Sequence, residues 1–483
     1  MKSLSIALLC GALLGACASR VPPAAPIDTA VPAHWRTVPP GAAPQAPAQF
    51  WWQQYGDPVL DRLVTRSLAH NAELGVAAAR VAEYRAGMRA AAAVRAPQWS
   101  AGASSARNRS AGPDGGGVAG SRVQGEFVVS YEVDLWGRLA SLEGAARANW
   151  KAERASADAA ALAIAAAVAS GYLNLRGLDA QLDLLAATLL VRARSRDLAR
   201  RLFEAGHGAR LELLQAQLEY EAASELLPPL KRAIFEQENG LAVLCGDTPG
   251  PLARGVALDL LALPPPPDVL PAALLRRRPD VYRAEQHLAA AVATLAATRD
   301  ASLPAFRLGG SVTAQASTLS ALASAPGALW QIGGTLAAVL ADGGRKQALT
   351  DADAARRDQA IHAYTHTVRA AFAETDNALG ALARLGEQAL ANDARLATAQ
   401  ETLRIAQQRN RHGYTAYLDV LDAQRIVYAA QAGRLQLRTR QLAASVDLVR
   451  VLGGGWDRPA QAPATGTGAD AAPIQHDYTL MNP

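Results

Sequence analysis

The stretch "GYTAYLDVLDAQ", Gly413–Gln424, has a twin upstream, "GHGARLELLQAQ", Gly206–Gln217. Both run glycine, four residues, Leu, an acid, an aliphatic residue, Leu, a polar residue, then Ala-Gln. The leading glycines stand 413 − 206 = 207 positions apart. Gly344-Arg345 in "ADGGRK" answers Gly137-Arg138 in "DLWGRL" at that same distance. So do Pro304 and Pro97, and Asp280-Val281 and Glu73-Leu74. Four landmarks at one offset make the chain two copies of one unit, about 51–260 and 261–457. The copies meet at "LPPPPDVLP", residues 263–271, which reads as a polyproline-type connector. So long a period excludes a solenoid and indicates a duplicated domain.

Each copy reads helix, strand, loop, strand, long helix, turn, helix. The strands rest on alternation. In the first copy "QWSAGAS" puts Trp99, Ala101 and Ala103 on one face. In "VQGEFVVSYEVDL", Val123, Phe127, Val129, Tyr131, Val133 and Leu135 oppose Gln124, Glu126, Ser130, Glu132 and Asp134. In the second copy Phe306, Leu308, Val312 and Ala314 oppose Arg307, Ser311, Thr313 and Gln315. Trp330, Ile332 and Leu336 likewise oppose Gln331 and Thr335. "SSARNRSAGPDGGGVAGSR" and "STLSALASAPGA" read as polar or small joining loops. Strands of about ten residues or more suit a tilted bilayer crossing. The polar faces suit a wet lumen. Four strands cannot close a barrel, and an open edge in lipid leaves backbone groups unpaired at several kcal/mol each. Other chains must complete the sheet. Two chains give eight strands and a filled barrel; three give twelve and room for water, which the polar face favours.

The helices read as long. No proline interrupts Ala140 to about Ala205, a run on the order of 100 Å. Leu175, Leu182 and Leu189 keep a spacing of seven, as do Leu421, Tyr428, Leu435, Leu442 and Val449. These are coiled-coil seams, with Ala between them for close approach. Gly206, Gly208 and Gly413 sit where a long helix turns back on itself. The twin segment is therefore this turn, present twice because the hairpin is.

Composition agrees. The chain has 483 residues, half of them apolar, with few aromatics and much Ala and Leu. A net charge of +5 spread over this length is no nucleic-acid footprint, and "RRR" at Arg276–Arg278 is one short run. Lys2, the apolar "LSIALLCGALLGA" and "LLGAC" ending at Cys17 predict a signal peptide over 1–16. "LLGAC" resembles a bacterial lipobox, which implies acylation of Cys17 and, with Ala18 following, sorting to the outer membrane; the alternative is an ordinary secretory signal cut nearby. Residues 17–50 read as an extended tether, and 458–483 as a disordered tail. Cys10 leaves with the signal peptide and Cys17 is acylated, so Cys245 has no disulfide partner. No run in the mature chain reads as a transmembrane helix.

"LLRRRPDVYRAEQHLAAA" carries Leu274, Leu275, Arg277, Arg278, Pro279, Asp280, Ala284, Glu285 and Leu288 in a pattern that resembles the TolC-like outer-membrane efflux channels, in particular their lipoprotein branch. "EVDLWGR", "LADGGR", "YLDVLDAQR" and the terminal "LGGGW" also resemble signatures of that family, over about Phe50 to Trp456. Leu340-Ala341, where the family often has an aromatic residue, and Trp136, where Phe is usual, depart from it. The resemblance implies a mixed α/β membrane protein: a homotrimer whose twelve-stranded transmembrane β-barrel continues into a tunnel of long coiled-coil helices. It implies an outer-membrane exit duct, joined through a periplasmic adaptor to an inner-membrane efflux pump, with no cofactor and no nucleic acid. The alternatives are the exit duct of a type I protein secretion system and a non-conducting lipoprotein that spans the periplasm.

No catalytic constellation emerges. His362 and His366 have metal-ligand spacing, but Ala363 stands where a zincin needs Glu. "GGGVAG", Gly115–Gly120, matches a nucleotide-loop pattern without a helix opening after it. The acids at the turn differ. Asp419 and Asp422 lie three apart, on one helix face. Threefold symmetry stacks them into two rings that favour cations, and the resembling channels carry aspartates at these places. Leu418 and Tyr417 are expected to narrow the opening, and Arg411, Asn410 and Tyr414 to hold it closed. The competing reading is a solvated helix face. The first copy has Glu212 and Gln215 at the matching positions, hence less charge.

Overall fold

The computed structural model describes residues 31–37, 49–111, 117–266, 271–324 and 328–459. The signal peptide, Cys17, most of the 17–50 segment and nearly all of the 458–483 tail lie outside the described residues. A short 3₁₀ turn, Trp51–Tyr55, is the first regular element among the described residues. Then follow α1 (Pro58–His70), α2 (Ala72–Ala93), β1 (Gln98–Ala111), β2 (Gly117–Val133), α3 (Arg138–Glu204), α4 (Arg210–Glu225) and α5 (Leu227–Leu244). The second half contributes α6 (Pro271–Arg277), α7 (Pro279–Asp300), β3 (Ala305–Ala316), α8 (Leu319–Ala323), β4 (Leu329–Ala337), α9 (Arg345–Arg411) and α10 (Tyr417–Val451).

These elements form two compact bodies. One comprises Arg80–Arg154 and Arg283–His366; the other takes the described residues of Ala30–Ala79, Ala155–Tyr282 and Thr367–Pro483. Each body draws on both sequence copies, so the bodies do not coincide with the repeats. The reason is strand pairing. The first body holds one antiparallel sheet in the order β1-β2-β3-β4, in which β2 of the first copy bonds β3 of the second.

The register repeats with the sequence. Gln98 faces Ser130 in the first hairpin, and Ala305 faces Ala337 in the second, the same pair displaced by 207. Apolar side chains align across all four strands: Ala101, Phe127, Val312 and Trp330 in one row, Trp99, Val129, Gly310 and Ile332 in the next. The opposite face pairs Gln124 with Gln315 and Glu132 with Arg307. Trp330 is 73% and Ile332 82% exposed, although they stand in a continuous apolar face. Such a face on a described chain marks a surface that meets another apolar phase.

The strands run further than alternation alone indicates. Residues 104–111 and 117–122, expected as loop, extend β1 and β2. Polar residues on both faces erase the alternation there while the backbone ladder continues. The second joining loop folds in part as α8. Leu135 and Asp134, expected in the strand, lie beyond it. Asp134 instead accepts hydrogen bonds from the Leu139 and Ala140 amides (3.0 and 2.8 Å), capping α3.

The second body is built around Trp51, Tyr55, Leu60, Val168, Tyr172, Leu241, Leu261 and Leu442. α3 contains a window apolar enough to cross a membrane by composition, but Ala165, Val168, Ala169 and Tyr172 within it are buried in this core. Asp57 lies fully buried. It accepts from the Val59 amide (2.8 Å), the Val256 amide (2.9 Å) and the Tyr172 hydroxyl (2.8 Å), which compensates its burial. Gly255 packs so close that any Cβ would overlap the Asp57 carboxylate. Burial pushes the free Cys245 thiol up to about 11, so it is unreactive at neutral pH.

Arg278 in "RRR" is 6% exposed. It donates to Asp280 (2.6 Å), Glu374 (2.8 Å) and the Val451 carbonyl (3.1 Å), tying the start of α7 to α9 and to the end of α10. Gly453 and Gly454 in "LGGGW" have φ of +93° and +57°, and Trp456 donates to Asp158 (2.9 Å). In the 17–50 segment, Trp35 is buried against the Phe372 ring, and Arg36 pairs with Asp376. The tether is thus docked at this point rather than free.

The copies also differ in their return helices. α4 ends at Glu225 and α5 begins at Leu227, with Pro228 and Pro229 in its first turn, whereas α10 runs unbroken for 35 residues. The corresponding stretch of α10, 433–436, holds no proline.

Candidate functional site

The two turns of the long hairpins are built alike. Gly206 (φ +75°) ends α3 and Gly413 (φ +73°) ends α9, both in the left-handed region that glycine occupies without strain. His207 donates to the Leu202 carbonyl (2.8 Å) and Tyr414 to that of Arg409 (2.9 Å), a Schellman closure repeated at the 207-residue offset. Gly208 has no special φ, but a Cβ there would approach Leu202 and the Phe203 amide at 3.1 Å. Asn410 donates to the Thr415 carbonyl (3.0 Å), so it closes its own turn.

Asp419 lies in the first turn of α10 and accepts from the Thr415 hydroxyl. Asp422 follows one turn later, and both carboxylates are exposed. Leu418 is 49% exposed beside them. Arg411 is exposed at the end of α9 and makes no hydrogen bond or ion pair among the described residues. The Tyr417 hydroxyl is buried on the side of Ser195 and Glu219 of the first hairpin, and desolvation raises its pKa. His362 and His366 are exposed on α9, and among the described residues no cluster of three His, Cys, Asp or Glu side chains is placed to hold a metal.

One group at this end escaped the sequence reading. Glu219 on α4 is 6% exposed and takes two guanidiniums, Arg192 of α3 (2.9 Å) and Arg425 of α10 (2.8 Å). The hydrogen bond to Glu219 holds the Arg425 pKa above its ordinary value. The buried carboxylate thereby clamps the first hairpin to the second. Arg425 closes the quoted "YLDVLDAQR", but nothing local in sequence links it to a residue 206 positions away.

A sheet apolar on one face and polar on the other, with β1 and β4 as unpaired edges among the described residues, together with long helical hairpins, defines a subunit of a membrane-spanning channel. The chain belongs to the outer membrane efflux protein family, whose model matches residues 63–247 and 270–454. The starts, 270 − 63, and the ends, 454 − 247, are both displaced by 207. It is 31% identical over 472 residues to the pyoverdine export outer membrane protein OpmQ of Pseudomonas aeruginosa, covering 95% of this chain and 98% of that one. To the toluene efflux pump outer membrane protein TtgC of Pseudomonas putida it is 31% identical, covering 94% and 96%. Among solved structures, the outer-membrane channel OprN superposes with a TM-score of 0.83 at 28% identity, covering 90% and 98%. The open state of the Neisseria gonorrhoeae MtrE channel superposes at 0.81 and 29%, with the same coverage. This chain is accordingly an outer-membrane efflux component with the fold of these channels.

Proposed function

We propose that three copies of this chain close a twelve-stranded barrel and form the passive exit duct of a tripartite efflux pump. A periplasmic adaptor and an inner-membrane pump deliver small molecules such as drugs to it. Residues 51–260 and 261–457 are the two duplicated units, and Cys17 carries the lipid anchor. The observation that supports this reading is the sheet: an apolar face for lipid, a polar face for water, and backbone edges at β1 and β4 that only another chain can satisfy. Asp419 and Asp422 form rings at the periplasmic gate, with Leu418 beside them. Arg411, which has no ion pair among the described residues, supplies the contact to a neighbour that holds the gate closed. Tyr417 and the Glu219 clamp brace the gate from behind.

Single-channel conductance of the purified protein in a planar bilayer tests this. A low, cation-selective conductance that divalent cations block from the periplasmic side is expected. Replacing Asp419 and Asp422 with Ala should weaken both selectivity and block. A silent protein would refute the duct. A conducting double variant indistinguishable from the parent would reduce the two acids to a solvated face.

A further inference from the structure

A cavity of about 650 Å³ lies in the second body, between α3, α9, α10 and the segment after α5 at 257–259. Its volume is that of a small-molecule pocket. It includes no residue of the sheet or of the hairpin turns. Three guanidiniums and four carboxylates line it. Two of the guanidiniums are answered within the wall: Arg176 pairs with Asp179 (2.7 Å) and Arg434 with Asp393 (3.3 Å). Asp179 also takes Arg254 (2.8 Å). Arg438, Asp183 and Asp259 remain, with no ion pair among the described residues.

Arg438 is partly buried, and its Nη2 donates to a neutral acceptor, the Leu261 carbonyl (2.6 Å). Burial pushes its pKa below the ordinary value, and the Asp259 carboxylate, from beyond ion-pair distance, opposes that shift. Asp183 and Asp259 are exposed, so a solute can reach them. One unanswered cation and two unanswered anions therefore line the same cavity without touching. A desolvated charge with no counter-charge is costly, and a ligand that supplies one relieves the cost. A simple anion would satisfy Arg438 but meet both carboxylates. A simple cation would leave the guanidinium unanswered. A molecule that carries both charges satisfies all three groups. We propose that this cavity binds a short zwitterionic peptide, its terminal carboxylate on Arg438 and its ammonium group on Asp183 and Asp259. The planar guanidinium matches a carboxylate with two parallel hydrogen bonds. Leu184, Leu396 and Leu435 give the cavity an apolar wall for small aliphatic side chains, and Gln400 and Gln431 bring amides that suit peptide groups. A bound peptide would bridge α3 and α10 beneath the segment that follows α5.

Isothermal titration calorimetry of the full chain in detergent, at neutral pH and low salt, tests this with trialanine as the probe. Trialanine should bind. Its N-acetylated and its C-amidated forms should each bind about tenfold more weakly or worse, the effect of losing one charge-assisted contact. Arg438→Gln should abolish the difference between the free acid and the amide. Asp183→Asn with Asp259→Asn should abolish the difference between the free amine and its acetylated form. The capped peptides are compared on the unaltered protein, so a variant that fails to fold leaves that comparison intact. No binding of trialanine, or binding indifferent to both caps, would overturn the proposal. Preference for phosphoethanolamine, a zwitterion without a peptide group, would overturn the peptide assignment. None of these outcomes depends on conduction, so an empty cavity and a silent duct are told apart.

Discussion

Gly453 sits at φ +93°, its α-carbon turned to the Arg277 carbonyl, and an added methyl would overlap that oxygen. Neither the backbone conformation nor the space admits a side chain. Gly453→Ala should therefore destabilise the protein by about 2 kcal/mol or more, combining left-handed strain with a displaced backbone. A thermal unfolding midpoint unchanged from the parent would contradict this. Arg411 makes the opposite case, an exposed guanidinium with no partner among the described residues. Arg411→Ala should leave the stability of the subunit unchanged and raise single-channel conductance. Sequence reading found Gly206 and Gly413, because a turn that needs positive φ leaves a glycine in plain view. It did not disclose that the Tyr417 hydroxyl is buried, because which way a ring turns depends on Ser195 and Glu219, residues brought near only by folding.

At the scale of elements, Glu219 ties α3, α4 and α10 together. Removing it strands Arg192, whose side chain is 11% exposed, and Arg425, which reaches solvent. Glu219→Ala should cost about 3 kcal/mol, the low end for a broken buried pair. The heat stability of the trimer in detergent reports the loss. A double variant with Arg192→Met should recover part of it, since no buried charge is then left alone; no recovery would show that Glu219 acts otherwise. The helices and the apolar alternation of the strands were legible because each is a periodic signal. The ends of β1 and β2 were not, since above the apolar band both faces are polar and period two disappears. Nor was the docking of Trp35: one aromatic in a proline- and alanine-rich stretch carries no period, and only its burial on Phe372 discloses it.

For the whole molecule, oligomerisation should be obligatory, because an isolated sheet leaves two rows of backbone donors and acceptors in lipid. Mass measurement in detergent should return a trimer, and a stable folded monomer would contradict the barrel. Cys17→Ser should abolish palmitate incorporation without preventing assembly, since closure depends on strand edges and not on the anchor. Label persisting in that variant would place the acylation elsewhere.

The two hairpins of a subunit are not mechanical equals. The return arm of the second is one rod, α10. That of the first is articulated at Leu226, where Pro228 and Pro229 withhold amide protons from the helical ladder. A jointed arm bends under a load that an unbroken one resists. Loaded along its length, the first return arm would yield first at Leu226, a joint that α10 lacks.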